Sequence, residues 1–249
     1  MIQKENAIDL YVKLLRKIIG VIAKDSDNFE TDILEFLGVS SGQSYNFIID
    51  SLYLLEDTQL AKQNFNEFGV SGPTKYQNFG EVYLRVYGLL NACYLQQQAI
   101  IEIKKNLRLS LDKNELKEIR ECPIFDLRNT FAAHTVNRGC EEKKKSYILD
   151  RHGLLEGNLK GYSSNSESGY DSKNAKITEE IQKWDFLLTN LLKDISFFVS
   201  HKTKTNQYFD EVSPAYTEIF ERIVKVQNKT ISYTDIWGEN GFEINFVST

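Results

Sequence analysis

Along most of this 249-residue chain, apolar side chains recur three and four positions apart, the spacing of an amphipathic helix. Ile8, Tyr11, Leu15, Ile18 and Ile22 predict a first helix ending near the cluster Asp25-Ser26-Asp27-Asn28. A short helix through Ile33 to Leu37 follows, with Gly38 as its stop. Tyr45, Ile48, Leu52 and Leu55 predict a third, and Gly69-Val70-Ser71-Gly72-Pro73 a break. The longest seam runs from about Thr74 to Leu107 through Phe79, Val82, Val86, Leu89, Cys93 and Ile100, and predicts the spine of a bundle. Gln97 interrupts it. The run Gln96-Gln97-Gln98 reads either as a polar contact surface or as one buried glutamine satisfied by a neighbour.

Beyond the spine, Asp112 and Glu115 form a capping arrangement for a charged helix. Pro123 ends that run and opens a separate helix to about Val136, closed by Asn137-Arg138-Gly139, because its fixed φ and missing N–H suit a first turn. Tyr147-Ile148-Leu149 and Gly157 to Tyr162 predict two short strands turning near His152-Gly153, and Ser163 to Asn174 a flexible loop. Ile177, Ile181, Trp184, Leu188, Leu191, Ile195 and Phe198 give the cleanest helical pattern, which must pack on the spine. A last helix, broken at its start by Pro214, carries Tyr216, Ile219, Ile223 and Val226. The tail alternates as a strand pair, with Ile231 and Tyr233, then Phe242, Ile244 and Phe246, around Gly238-Glu239-Asn240-Gly241. The expected architecture is an all-α helical bundle of about six or seven helices with a small β-hairpin insert and a C-terminal β-hairpin tail. Residues 1–204 would form the bundle, with N-terminal helices and the polar insert at about 139–175, and 205–249 a helix plus β tail packed on it.

Composition narrows the function. A hydrophobic content of 41% with 26% charged residues is that of a globular chain, and a net charge of −5 argues against general coating of nucleic acid, which rests on phosphate neutralisation. The charge is uneven. Residues 101–145 hold 11 Lys/Arg and 8 Asp/Glu, a net of +3, so the remainder carries −8. The three cysteines, Cys93, Cys122 and Cys140, show no C-x-x-C spacing, so neither a disulfide framework nor a zinc site is expected. The N-terminus lacks a signal-type apolar core, and no stretch reaches about 18 apolar residues; a cytoplasmic protein with no membrane segment is expected. No glycine-rich phosphate loop, nucleophile elbow or metal-binding motif is present, so neither a metal nor a cofactor is expected.

One stretch carries candidate chemistry, Cys122 to Val136, CPIFDLRNTFAAHTV. Ile124, Leu127 and Phe131 form its apolar stripe. Arg128 and His134 fall on opposite flanks, roughly 120° apart and about 9 Å along an α-helical axis. Ala132 and Ala133 keep the helix slim enough for close approach by another. Of the other histidines, His152 reads as a turn residue and His201 as a charge suited to a helix C-terminus.

The run Arg128-Asn129-Thr130-Phe131-Ala132-Ala133-His134, an arginine, a polar residue and a histidine on a helix of an all-α bundle, resembles the signature of the HEPN superfamily. The likeness covers about residues 74–204. It implies a metal-independent endoribonuclease, of the kind found among toxins and phage-defence effectors, that acts as a homodimer with two motif copies at the two-fold axis. It also implies His134 in proton transfer, Arg128 on the scissile phosphate and Asn129 in positioning, with RNA as substrate and an antitoxin or regulatory protein as partner. Lys143, Lys144 and Lys145, just beyond the motif, are candidate substrate-binding residues. The alternative is a non-catalytic helical binding or dimerisation module, in which Arg128 pairs with an acid such as Asp126 or Glu121 and His134 is hydrogen-bonded at the rim of the bundle.

Overall fold

The apolar periodicity is realised as helices. A computed structural model describes residues 6–24, 28–73, 78–133, 146–163, 171–203 and 209–227, which form an all-α bundle with a small antiparallel sheet. Backbone contacts divide the chain into two compact units, residues 1–56, 100–110 and 188–249, and residues 57–99 and 111–187. Three long helices contribute residues to both: α3 (Gly42–Phe68), α4 (Phe79–Asn106) and α8 (Ile177–Thr203).

In the first unit, α1 (Ala7–Lys24) packs against α2 (Phe29–Leu37) and α9 (Phe209–Gln227). Its buried set includes Leu10, Val12, Leu14 and Ile19 beside the expected stripe, because it is covered by two neighbours and not one. Gly38 ends α2 at φ +66°, donating to the Glu35 carbonyl at 3.0 Å, a left-handed geometry that glycine adopts without a Cβ penalty. Lys202 Nζ caps the same helix end through the Leu37 carbonyl at 2.8 Å, and burial lowers the pKa of this lysine. Pro214 does not break the last helix. α9 begins at Phe209 and continues through the proline, with Val212, Tyr216 and Ile219 buried; their packing outweighs the single backbone bond lost.

In the second unit, Asp112 caps α5 (Lys113–Glu121) by accepting from the N–H groups of Asn114 and Glu115 at 2.7 and 2.8 Å. The spine residues Val82, Val86, Leu89 and Cys93 and the α8 residues Ile177, Ile181 and Trp184 are buried as expected. Two glutamines, not one, are buried on the spine. Gln97 Nε2 donates to the Ile119 carbonyl at 2.8 Å, while Gln96 Oε1 accepts from Trp184 Nε1 at 2.9 Å and Lys62 Nζ at 3.0 Å. Gln96 Nε2 donates to Gln59 Oε1 at 3.0 Å, and the fully buried Lys62 also pairs with Asp185. Burial raises the Asp185 carboxyl pKa even against the opposing pull of Lys62.

The insert is larger than a hairpin. Strands β1 (Ile148–Leu149), β2 (Asn158–Ser163) and β3 (Asp171–Lys176) form an antiparallel sheet in that order, with Ile148 opposite Tyr162 and Gly161 opposite Lys173. A turn of helix, α7 (Arg151–Leu155), capped by Asp150, joins β1 to β2 and contains His152 and Gly153, where a tight turn was expected. Asp171 to Asn174, expected in a loop, belong to β3. An outer strand needs no apolar alternation, so its polar composition hid it. Among the described residues no helix is long and apolar enough to cross a membrane. The expected tail strands at 231–246 lie outside the described residues.

Candidate functional site

The site is built from the second unit. Pro123 occupies the first turn of α6 (Pro123–Arg128), as its ring chemistry predicts, and Ile124, Leu127 and Phe131 are buried. Phe125, also buried, meets the Trp184 ring edge-on at 4.8 Å between centroids, so the motif is seated on α8 from its first turn.

The α-helix expected to reach Val136 changes character at Arg128. From Asn129 to Ala133 the chain forms a π-helical turn, which closes bonds from i to i+5 and so widens the turn. π-Helical turns are frequent at functional sites. Thr130 Oγ1 donates to the Asp126 carbonyl at 2.7 Å, a side chain–backbone bond spanning the transition.

Arg128 is half-buried. Its guanidinium carbon lies 4.1 Å from the centroid of the Tyr94 ring on α4, and one of its terminal nitrogens donates to Asn129 Oδ1 at 3.0 Å. Both partners are neutral, and among the described residues no carboxylate pairs with this cation. The pairing with Asp126 entertained from the sequence is not formed, because Asp126 is taken by Lys173 of β3. Lys173 Nζ also donates to Thr130 Oγ1 at 3.3 Å and lies 5.8 Å from the Tyr147 ring. Tyr147 in turn donates to Asp171 at 2.9 Å and meets Phe131 edge-on at 6.2 Å. The sheet thus grips the motif at residues on both sides of Arg128.

The closest grip is at Gly161. A Cβ built there would stand 2.2 Å from Phe131 Cε1, so only glycine lets β2 lie against the ring. Both described cysteines are buried, and burial pushes the Cys93 thiol up to about 12 and raises Cys122 as well, which disfavours the thiolate. No set of three or more His, Cys, Asp and Glu among the described residues is disposed to hold a metal ion.

Of the candidates read from the sequence, the structure brings Arg128 and Asn129 together; His134, Lys143, Lys144 and Lys145 lie outside the described residues. Sequence reasoning missed Tyr94, Lys173 and Gly161. Tyr94 follows the seam residue Cys93 by one position, and that adjacency was the only available signal. Comparison of the chain with protein-family models, curated proteins and solved structures gives no match.

Proposed function

We propose that the chain is a metal-independent endoribonuclease of HEPN type, acting in the cytoplasm as a homodimer, with the character of a toxin or phage-defence effector restrained by a partner protein. The observation that carries the reading is Arg128. An arginine held by an aromatic ring and an amide keeps its full charge for an anion, where a structural arginine would ordinarily be neutralised by an acid. Its place at the change from α- to π-helix gives further support.

RNA supplies its own nucleophile. The 2′-oxygen attacks phosphorus while a base takes its proton, the bond to the 5′-oxygen breaks, and an acid protonates that leaving oxygen. In the proposed roles His134 moves protons, Arg128 stabilises the charge gathering on the phosphoryl oxygens, Asn129 holds Arg128 in place, and Lys143, Lys144 and Lys145 hold the RNA backbone. The products are a 2′,3′-cyclic phosphate and a 5′-hydroxyl.

The test is cleavage of RNA by the purified chain in excess EDTA, with the ends of the products identified. Undiminished cleavage with cyclic phosphate ends is expected. Activity lost to EDTA and restored by Mg²⁺ or Mn²⁺ overturns the mechanism. One observation favours the rival binding module: Tyr94 and Asn129 already hold Arg128 in place without a substrate. That reading predicts no RNA cleavage in any buffer.

A further inference from the structure

β3 is an outer strand. β2 lies on one side of it, and the described residues place no strand on the other. A groove of about 380 Å³ is lined by four successive residues of this strand, Ser172 to Ala175, with Pro123, Leu127 and the Lys173-paired Asp126 of α6 and Glu180 in the first turn of α8. Successive side chains of a strand point to opposite faces, so a groove that touches four in a row meets the backbone edge of the strand.

Glu180 adds a second, independent feature. Its side chain is 10% exposed; Oε1 accepts from Lys183 at 2.8 Å, while Oε2 is buried without a hydrogen-bond partner. A buried carboxylate oxygen without a donor is costly, and a donor arriving from outside relieves that cost.

We propose that this edge binds an extended, basic segment of a partner protein as a fourth strand. Its main chain pairs with β3, an apolar side chain rests on Pro123 and Leu127, and a lysine or arginine donates to Glu180 Oε2. A second copy of β3 is a poorer occupant. Two-fold antiparallel pairing sets residues of one face opposite each other, so the central registers place Lys173 against its own copy or Asn174 against its own copy. In the first register Asp171 of the copy faces Ala175, an acid where Glu180 calls for a cation, and in the second the arriving Lys173 is the residue that already pairs with Asp126. The proposal stands apart from the nuclease reading, since it concerns binding and not cleavage.

The probes are short fluorescein-labelled peptides: alternating valine and lysine, the same peptide methylated at alternate amide nitrogens, and a valine–glutamate version. Each is titrated into the full chain, with anisotropy reporting binding and amide hydrogen exchange reporting residues 171–176. The lysine peptide is expected to bind and to slow exchange in β3, and the methylated and glutamate peptides are not. Glu180→Gln, whose melting curve verifies folding, should weaken the lysine peptide about tenfold, the size of one hydrogen bond to a charged group. Equal binding of the methylated or glutamate peptide, unchanged affinity of Glu180→Gln, protection of β3 through self-association alone, or no binding up to millimolar peptide each overturns the proposal.

Discussion

At the residue scale the contact between Gly161 and Phe131 makes the sharpest demand. Any Cβ at position 161 must displace a fully buried ring on the π-helical turn that follows Arg128. Gly161→Ala is therefore expected to destabilise the fold by about 1–3 kcal/mol, the usual cost of overpacking a core, read as a fall in the urea midpoint with an unchanged slope. An unaltered midpoint would mean that β2 is not held against the motif in this way. The position also shows where the sequence falls silent. Gly161 lies within a run read correctly as a strand, but a glycine there can signal a bulge, a bend or a close approach, and only the ring across from it decides which. Arg128 was legible because its neighbourhood, an apolar stripe with a cation beside it, is written in local spacing, whereas Asn129 was singled out only by the resemblance of the motif. Tyr94 and Lys173, which complete the surroundings of Arg128 and Asp126, come from elsewhere in the chain, and local spacing carries no trace of them.

At the element scale, periodic burial made the long helices readable: the stripes of α1, α4 and α8 lie buried as their spacing requires, except for the half-buried Phe79 and Phe198. Two elements were not readable for physical reasons. β3 pairs through its backbone and shows a polar face, so its composition matches that of a loop. The π-helical turn keeps Leu127 and Phe131 buried just as an α-helix would, so the apolar pattern does not register the extra residue in the turn. The buried polar cluster joining α3, α4 and α8 within the second unit was half legible, as a glutamine out of place on the seam. Its energetics follow from its lysine. Lys62→Met leaves Asp185, whose side chain is 28% exposed, without its counter-charge and should cost about 3 kcal/mol, at the lower end for a broken buried pair. Replacing both, Lys62→Met with Asp185→Leu, should recover most of that loss. Additive destabilisation in the double variant, measured by chemical denaturation, would show that the two residues are not coupled.

At the scale of the whole molecule, the proposed chemistry asks for more polar groups than one copy of the motif supplies. Light scattering should therefore give a mass near twice the 28.8 kDa of the chain at micromolar concentration, and a monomer there would count against a shared site. The division into two units was not legible along the sequence, because α3, α4 and α8 each supply residues to both without any break in their apolar pattern. The central claim, that the RNTFAAH segment cleaves RNA, is tested most directly by comparing the wild-type chain with Arg128→Ala and His134→Ala for RNA cleavage and for thermal melting on the same samples. Arg128 loses one ring contact and one hydrogen bond to an amide, about 1 kcal/mol, which in a chain of this size shifts melting by about 2–4 °C. The account predicts a fall in cleavage of about 10²–10⁴ for each variant, with melting changed by no more than that. Cleavage undiminished in His134→Ala, or no wild-type cleavage together with a much larger fall in melting for either variant, would contradict it.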